Sequence, residues 1–182
     1  EIISYLDITE DKHVLISCEQ LFNLTDNENN QILRTWENNS KYECKVYDDR
    51  KEWRVNNKLH RDADKPAVEY ANGDKEWRVN NYLHRENDKP AIEYSNDNKE
   101  WYVNGQRHRE ADKPAIEYAD GNKEWWVNGK YHRNDDLPAI EWSDGYKAWY
   151  VNGKKHREAD KPAIEYANGS KEWYVNGKLI RG

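Results

Sequence analysis

Lys99–Asn122 reads KEWYVNGQRHREADKPAIEYADGN, and the way this stretch is read decides the fold. Two short runs within it, KEWYV and PAIEY, alternate polar with apolar side chains, the period-2 pattern of strands that bury one face. Each run is followed by a turn dipeptide, Asn104-Gly105 and Asp120-Gly121, of the type that favours tight β-hairpin turns. Pro114 and the glycines rule out a helix of useful length. Outward from here the phrase returns every 24 residues: Trp53, Trp77, Trp101, Trp125, Trp149 and Trp173 keep the step. So do His60, His84, His108, His132 and His156, and Pro66, Pro90, Pro114, Pro138 and Pro162. Self-similarity at a fixed period marks a repeat array whose units hold together by stacking on their neighbours.

The array is expected over residues 42–182. YECKVYDDRKEW lines up with PAVEYANGDKEW, which places a half-unit at Tyr42, and the last copy, KEWYVNGKLIRG, carries Ile180 where the others carry His. Two-residue turns would set Val68 opposite Trp77, Trp101 opposite His108 and Glu100 opposite Arg109. One face would then collect Trp, Val, Ile, Tyr and His, and the other Glu, Arg and Ala. In that register His packs on Trp and each Arg meets a Glu across the strand, except where Ala148 faces Arg157. The expected fold class is mainly β, a single-layer twisted antiparallel β-meander of about eleven strands. A small α-helical segment, residues 1–41, is expected to precede it. There Ile2, Ile3 and Leu6, then Val14, Leu15, Cys18, Leu21 and Phe22, then Ile32, Leu33 and Trp36 fall at helical spacings, with Thr25 and Glu28 as a capping box.

Composition narrows the function. The chain is only 36% hydrophobic and 35% charged, which leans toward disorder until its nine Trp and 13 Tyr are counted as core material. Residues 1–41 hold 8 acidic and 3 basic side chains, leaving 27 acidic and 26 basic for the array. A near-neutral array argues against nucleic acid or an anionic membrane as a partner drawn by charge. No apolar run is long enough to span a membrane. Cys18 and Cys44 make neither a disulfide framework nor a metal motif, so a cytoplasmic setting is expected. Successive His residues one unit, about 10 Å, apart are too distant to share a zinc ion. No nucleophile motif or phosphate-binding loop is present, and neither enzymatic activity nor a cofactor is expected. One repeat position does vary, holding Arg54, Arg78, Tyr102, Trp126 and Tyr150 in turn, and these residues are the expected partner contacts of the array.

The unit resembles the MORN repeat. Trp101, Asn104-Gly105, His108, Tyr118 and Asp120-Gly121 fit its pattern, while Glu100 stands where that family has Gly, Arg109 follows His, and Pro114-Ala115 is added. The resemblance implies protein scaffolding and dimerisation. EIISYLD and VLISCEQLFNL resemble an F-box whose upstream Leu-Pro is absent. That likeness implies that Ile2, Ile3, Leu6, Leu15 and Leu21 dock on the Skp-type adaptor of a cullin ubiquitin ligase, with the array selecting substrates. The combination is similar in style to proteins of large DNA viruses of protists, which implies host cytoplasm or a virion. The expected function is non-catalytic protein–protein interaction. The alternative is a structural scaffold or virion component that self-assembles through the array.

Overall fold

The computed structural model describes residues 32–37, 40–158 and 160–182, and their regular structure is all antiparallel β. Each internal unit supplies four short strands. In the unit quoted above these are Lys99–Glu100, Tyr102–Val103, Gln106–Arg107 and Ile116–Glu117. The first and last join one long sheet, of fifteen strands among the described residues. There Lys99–Glu100 pairs with Ile92–Glu93 on one side and Ile116–Glu117 on the other. The middle two form a separate two-stranded side hairpin. Trp101 sits at the joint between long sheet and side hairpin, its N–H donating to the Ala115 carbonyl at 2.8 Å. The antiparallel meander is therefore present, but each internal unit has four strands instead of two, with a side hairpin beside the two that join the long sheet.

Turn chemistry explains both the expected and the unexpected register. Asn104 and Gly105 both have positive φ, 49° and 80°, as a two-residue type I′ turn requires. Trp101 and His108 therefore lie opposite each other, with the His108 N–H on the Trp101 carbonyl at 3.1 Å. The other turn is a three-residue loop. Tyr118 N–H donates to the Asn122 carbonyl and Gly121 N–H to the Tyr118 carbonyl, both at 3.0 Å, with Gly121 at φ 91°. The extra residue slips the ladder by one, so Val68 pairs with Glu76 and not with Trp77. A one-residue slip exchanges the faces of a strand. Val68, Ile92, Ile116, Ile140 and Ile164 thus share a face with Glu residues and Tyr, while Trp shares the opposite face with Ala. Ala67, Ala91, Ala115, Ala139 and Ala163 are each fully buried on that side.

At the start of the array, Ser40–Val46 pairs with Arg50–Val55, and Tyr42, Cys44 and Trp53 form a buried cluster with Val46 and Val55 packed on it. Ile32–Glu37 pairs in turn with Ser40–Val46. Ile32, Leu33 and Trp36 are therefore in a strand, which corrects the helix expected for them. ILRTWE is short enough to satisfy either period, and its Ile and Thr, with a sheet edge to pair against, favour the strand. The other helical expectations, including Thr25 with Glu28, lie outside the described residues. Among the described residues no helix is long and apolar enough to cross a membrane.

Candidate interaction surface

The Trp face repeats one set of contacts between consecutive units. Arg109 lies over the Trp101 ring, its guanidinium carbon 3.7 Å from the centroid. Arg109 Nε and Nη2 donate to the Asp88 carboxylate at 2.7 and 3.3 Å, and Nη1 donates to the Pro114 carbonyl at 3.1 Å and to Glu117 at 2.8 Å. The Trp101 indole N–H donates to the Asp88 carbonyl at 3.0 Å, and Lys113 Nζ adds a bond to the Asp88 carboxylate at 2.6 Å. Asp88 belongs to the preceding unit, so one aspartate holds three side chains of the next. Trp77 with Arg85 and Asp64, Trp125 with Arg133 and Asp112, and Trp149 with Arg157 and Asp136 repeat the clamp. Asn87 and Asp88 have φ of 61° and 55°, and Ala111 and Asp112 have 60° and 53°. A left-handed backbone costs an ordinary residue roughly 1–2 kcal/mol. At these positions it turns the aspartate carbonyl and carboxylate together toward the next unit.

Two sequence expectations are corrected here. The group on the indole is the guanidinium and not the imidazole. The carboxylates of Arg109 are Asp88 and Glu117 and not Glu100, because Glu100 pairs within the long sheet and the side hairpin parts from it at Trp101. Arg157 keeps its counterparts too, with Glu165 at 3.5 Å and Asp136 at 2.8 Å, so Ala148 leaves no gap on this face.

Hydrogen bonds from Arg85, from Arg109 with Lys113, and from Arg157 with Lys161 hold the carboxyls of Asp64, Asp88 and Asp136 down at about 2. An unfolded aspartate titrates near about 3.9. These groups therefore stabilise the folded array above roughly pH 4, and that contribution disappears as pH falls from about 4 toward 2. Thermal unfolding of wild type and of the triple variant D64N/D88N/D136N between pH 5 and 2 checks this: the variant is expected to show a flatter loss of Tm over that window. In one unit Leu137 stands where Lys89, Lys113 and Lys161 stand, and among the described residues the Asp112 carboxylate keeps Arg133 as its one cation.

The His row ties together the side hairpins. His108 Nδ1 accepts the Asn128 N–H of the next unit at 3.2 Å while Nε2 faces Glu110 at 2.8 Å, which makes the ring a neutral Nε2–H tautomer. His60, His84, His132 and His156 receive Asn80, Asn104, Asn152 and Asn176 in the same way. The Gly105 position also serves stacking, since a β-carbon there would sit 3.0 Å from the Tyr82 ring. Among the described residues no three His, Cys, Asp or Glu side chains are grouped to hold a metal ion.

The Tyr face carries a row of half-buried and buried carboxylates. Glu52 accepts from Arg50 Nε at 2.7 Å and Arg54 Nη2 at 2.7 Å; burial opposes its charge, and these bonds outweigh that and lower its pKa. Glu76 accepts from Arg78 Nε at 2.7 Å and the Tyr70 hydroxyl at 3.2 Å. Glu100 accepts from Tyr102 at 2.8 Å, Tyr94 at 3.0 Å and Arg107 Nε at 3.1 Å. Further along the row the donors are neutral. Glu124 takes Trp126 Nε1 and Tyr131, both at 2.9 Å, with Tyr118 at 3.3 Å, and Glu172 takes Tyr174 and Tyr166. Burial, then the hydrogen bond to Glu100, pushes Tyr102 up to about 12. Burial raises Tyr94 and Tyr131 as well, each beside a carboxylate.

Of the array residues singled out in the sequence, Arg54, Arg78, Tyr102 and Trp126 all come to this face, each bonded to the glutamate two residues before it. Tyr150 is at the same repeat position, 5.1 Å from the Tyr131 ring. The structure thus gathers the five on one side of the array. Ile2, Ile3, Leu6, Leu15 and Leu21 lie outside the described residues. The sequence reading missed the aspartates at 64, 88, 112 and 136. Their 24-residue step was present in the sequence, but nothing in it showed that they reach into the following unit.

The geometry defines a repeat protein built as an antiparallel β-hairpin meander. Compared with protein-family models, curated proteins and solved structures, the chain matches none.

Proposed function

We propose that the chain is a non-catalytic protein-binding repeat protein whose Tyr face is the recognition surface. One observation carries the reading: the Trp, Arg and Asp of the clamp recur in every complete unit, while the position on the Tyr face changes from Arg54 and Arg78 to Tyr102, Trp126, Tyr150 and Tyr174. A constant frame with a varied aromatic face suits partner recognition, since Tyr, Trp and Arg dominate binding hot spots. The MORN-like pattern supports the same reading. The F-box-like residues Ile2, Ile3, Leu6, Leu15 and Leu21 supply its second half, docking on a Skp-type adaptor so that the array presents a substrate to a cullin ligase. A self-assembling scaffold or virion component is the second reading, favoured by the exposed Leu179 and Ile180 of the last hairpin, 57% and 64% accessible.

Affinity capture from eukaryotic cytosol tests the proposal, using the full chain and the same chain carrying L6A, L15A and L21A. Skp adaptor and cullin on the first bait alone support it. A chain that captures mainly itself supports the scaffold.

A further inference from the structure

Asn-Gly pairs recur through the array, at Asn72, Asn104, Asn128, Asn152, Asn168 and Asn176. In this dipeptide the backbone nitrogen after the asparagine is well placed to attack the side-chain carboxamide, because glycine has no β-carbon to shield it. All of these asparagines are exposed, so access of water does not separate them. Hydrogen bonding does. In the side hairpins the attacking nitrogen is committed to the preceding unit: Gly105 N–H donates to the Leu83 carbonyl at 2.8 Å, and Gly129, Gly153 and Gly177 donate to the carbonyls of Arg107, Tyr131 and Lys155, each at 2.9 Å. The asparagine before each glycine is tied as well, its own N–H donated to the His Nδ1 of the preceding unit. Bringing the carboxamide onto the glycine nitrogen there breaks two hydrogen bonds between units.

Asn72 and Asn168 lie instead in the three-residue loops of the long sheet, where the glycine N–H bonds within its own loop, to the Tyr70 carbonyl at 3.0 Å and the Tyr166 carbonyl at 2.9 Å. In both loops the asparagine Oδ1 accepts the N–H two residues on, from Asp74 at 3.0 Å and from Ser170 at 2.9 Å. That donor faces the oxygen on which negative charge develops when a nitrogen adds to Cγ. The two loops differ in what holds them. Ala71 N–H donates to the Asp49 carbonyl and the Asp74 carboxylate accepts the Ser95 N–H, so the Asn72 loop is bound to its neighbours on both sides. Asp74 also holds the Asn72 amide nitrogen at 2.9 Å, and its charge opposes an oxyanion beside it. Around Asn168 those ties are gone: Tyr146 and Ser170 stand where Asp74, Asn98 and Asn122 bond each loop to the next. Among the described residues no hydrogen bond joins Ala167, Asn168, Gly169 or Ser170 to a neighbouring loop, and a β-carbon at Gly169 would meet nothing within 4 Å.

We propose that Asn168 is a site of spontaneous deamidation, with water as the co-reactant, and that stacking protects the asparagines of the side hairpins. The Gly169 amide gives its proton to solvent base and its nitrogen bonds to Asn168 Cγ, while the Ser170 N–H donates to Oδ1 as that oxygen takes up negative charge. Collapse of the adduct breaks the Cγ–Nδ2 bond, releases ammonia and leaves a cyclic imide. Water opens the imide at either carbonyl, giving aspartate or isoaspartate. The product adds a negative charge, and as isoaspartate a backbone methylene, to the loop that carries Tyr166. The inference stands independently of the protein-binding reading above.

Ageing the folded full chain in mildly alkaline buffer made with heavy-oxygen water tests it, with peptide mass spectrometry reading label uptake at each Asn-Gly. Asn168 is expected to take up label at least about tenfold faster than Asn104, Asn128 and Asn152, with Asn72 between, since two hydrogen bonds between units must break at the slow sites. In concentrated urea the same dipeptides lose their surroundings, and the rates should converge. H84A removes the acceptor of the Asn104 N–H and is expected to speed Asn104 about threefold to tenfold while Asn152, two units away, keeps its wild-type rate. Equal rates at Asn168 and the hairpin asparagines of the folded chain, an unchanged order of rates in urea, or an Asn104 rate unmoved by H84A overturns the inference.

Discussion

Trp125→Ala is expected to remove about 3–5 kcal/mol of stability, the usual cost of truncating a buried Trp. The site offers little room for relief. Trp125 is 5% accessible, its N–H is donated to the Asp112 carbonyl at 3.1 Å, and the Arg133 guanidinium lies 3.7 Å from its ring. Deleting the indole leaves a cavity and strips Arg133 of the surface it stacks on. A whole domain retains only about 5–15 kcal/mol. In an array held by nearest-neighbour contacts the loss falls on one junction, between the units of Trp101 and Trp125. Guanidinium unfolding followed by circular dichroism should show an earlier midpoint. Trp173, half-buried in the last unit, is the internal comparison: W173A is expected to cost clearly less than W125A.

Arg109→Ala is expected to cost about 2–3 kcal/mol, and Arg109→Lys most of that. Hydrogen bonds to charged groups contribute about 1.5–3 kcal/mol, and the cation–π contact adds about 0.5–1. Arg109 makes four hydrogen bonds and the ring contact from a side chain only 12% accessible. Its partners Asp88 and Glu117 are 41% and 39% accessible, so water recovers part of the loss. A lysine has no planar fork and cannot serve Asp88, Pro114 and Glu117 together. Lys113 reaches the same Asp88, but it is 50% accessible, and K113A should cost no more than about 0.5 kcal/mol. Urea titration of the three variants ranks the residues and separates a clamp from a surface ion pair.

The difference between those two side chains shows what the sequence could and could not reveal. Both recur at a 24-residue step, the lysine with one break at Leu137, so periodicity alone does not show which of them is the clamp. The Trp101–His108 register was legible because Asn104-Gly105 dictates a type I′ turn. The Val68–Glu76 register was not, because Ala71-Asn72-Gly73 suits a three-residue loop as well as a two-residue one, and a single residue decides which side chains face each other. The Tyr face was half legible. Variation among Arg54, Arg78, Tyr102, Trp126 and Tyr150 pointed to one repeat position, but the glutamate bonded to each of the first four appeared only with the register. Asp88 was hidden for another reason: its partners Trp101, Arg109 and Lys113 lie in the following unit, and contacts between units are a property of stacking.

Whether the repeated Trp-His-Arg-Pro phrase locks each unit to the next is best tested by two double-mutant cycles on unfolding free energy. Asp88→Ala with Arg109→Ala spans one junction, and Asp88→Ala with Arg133→Ala skips a unit. The first pair is expected to couple by about 1–2 kcal/mol, and the second to be additive within about 0.3–0.5 kcal/mol. Additivity in the first cycle, or equal coupling in both, would contradict a nearest-neighbour clamp.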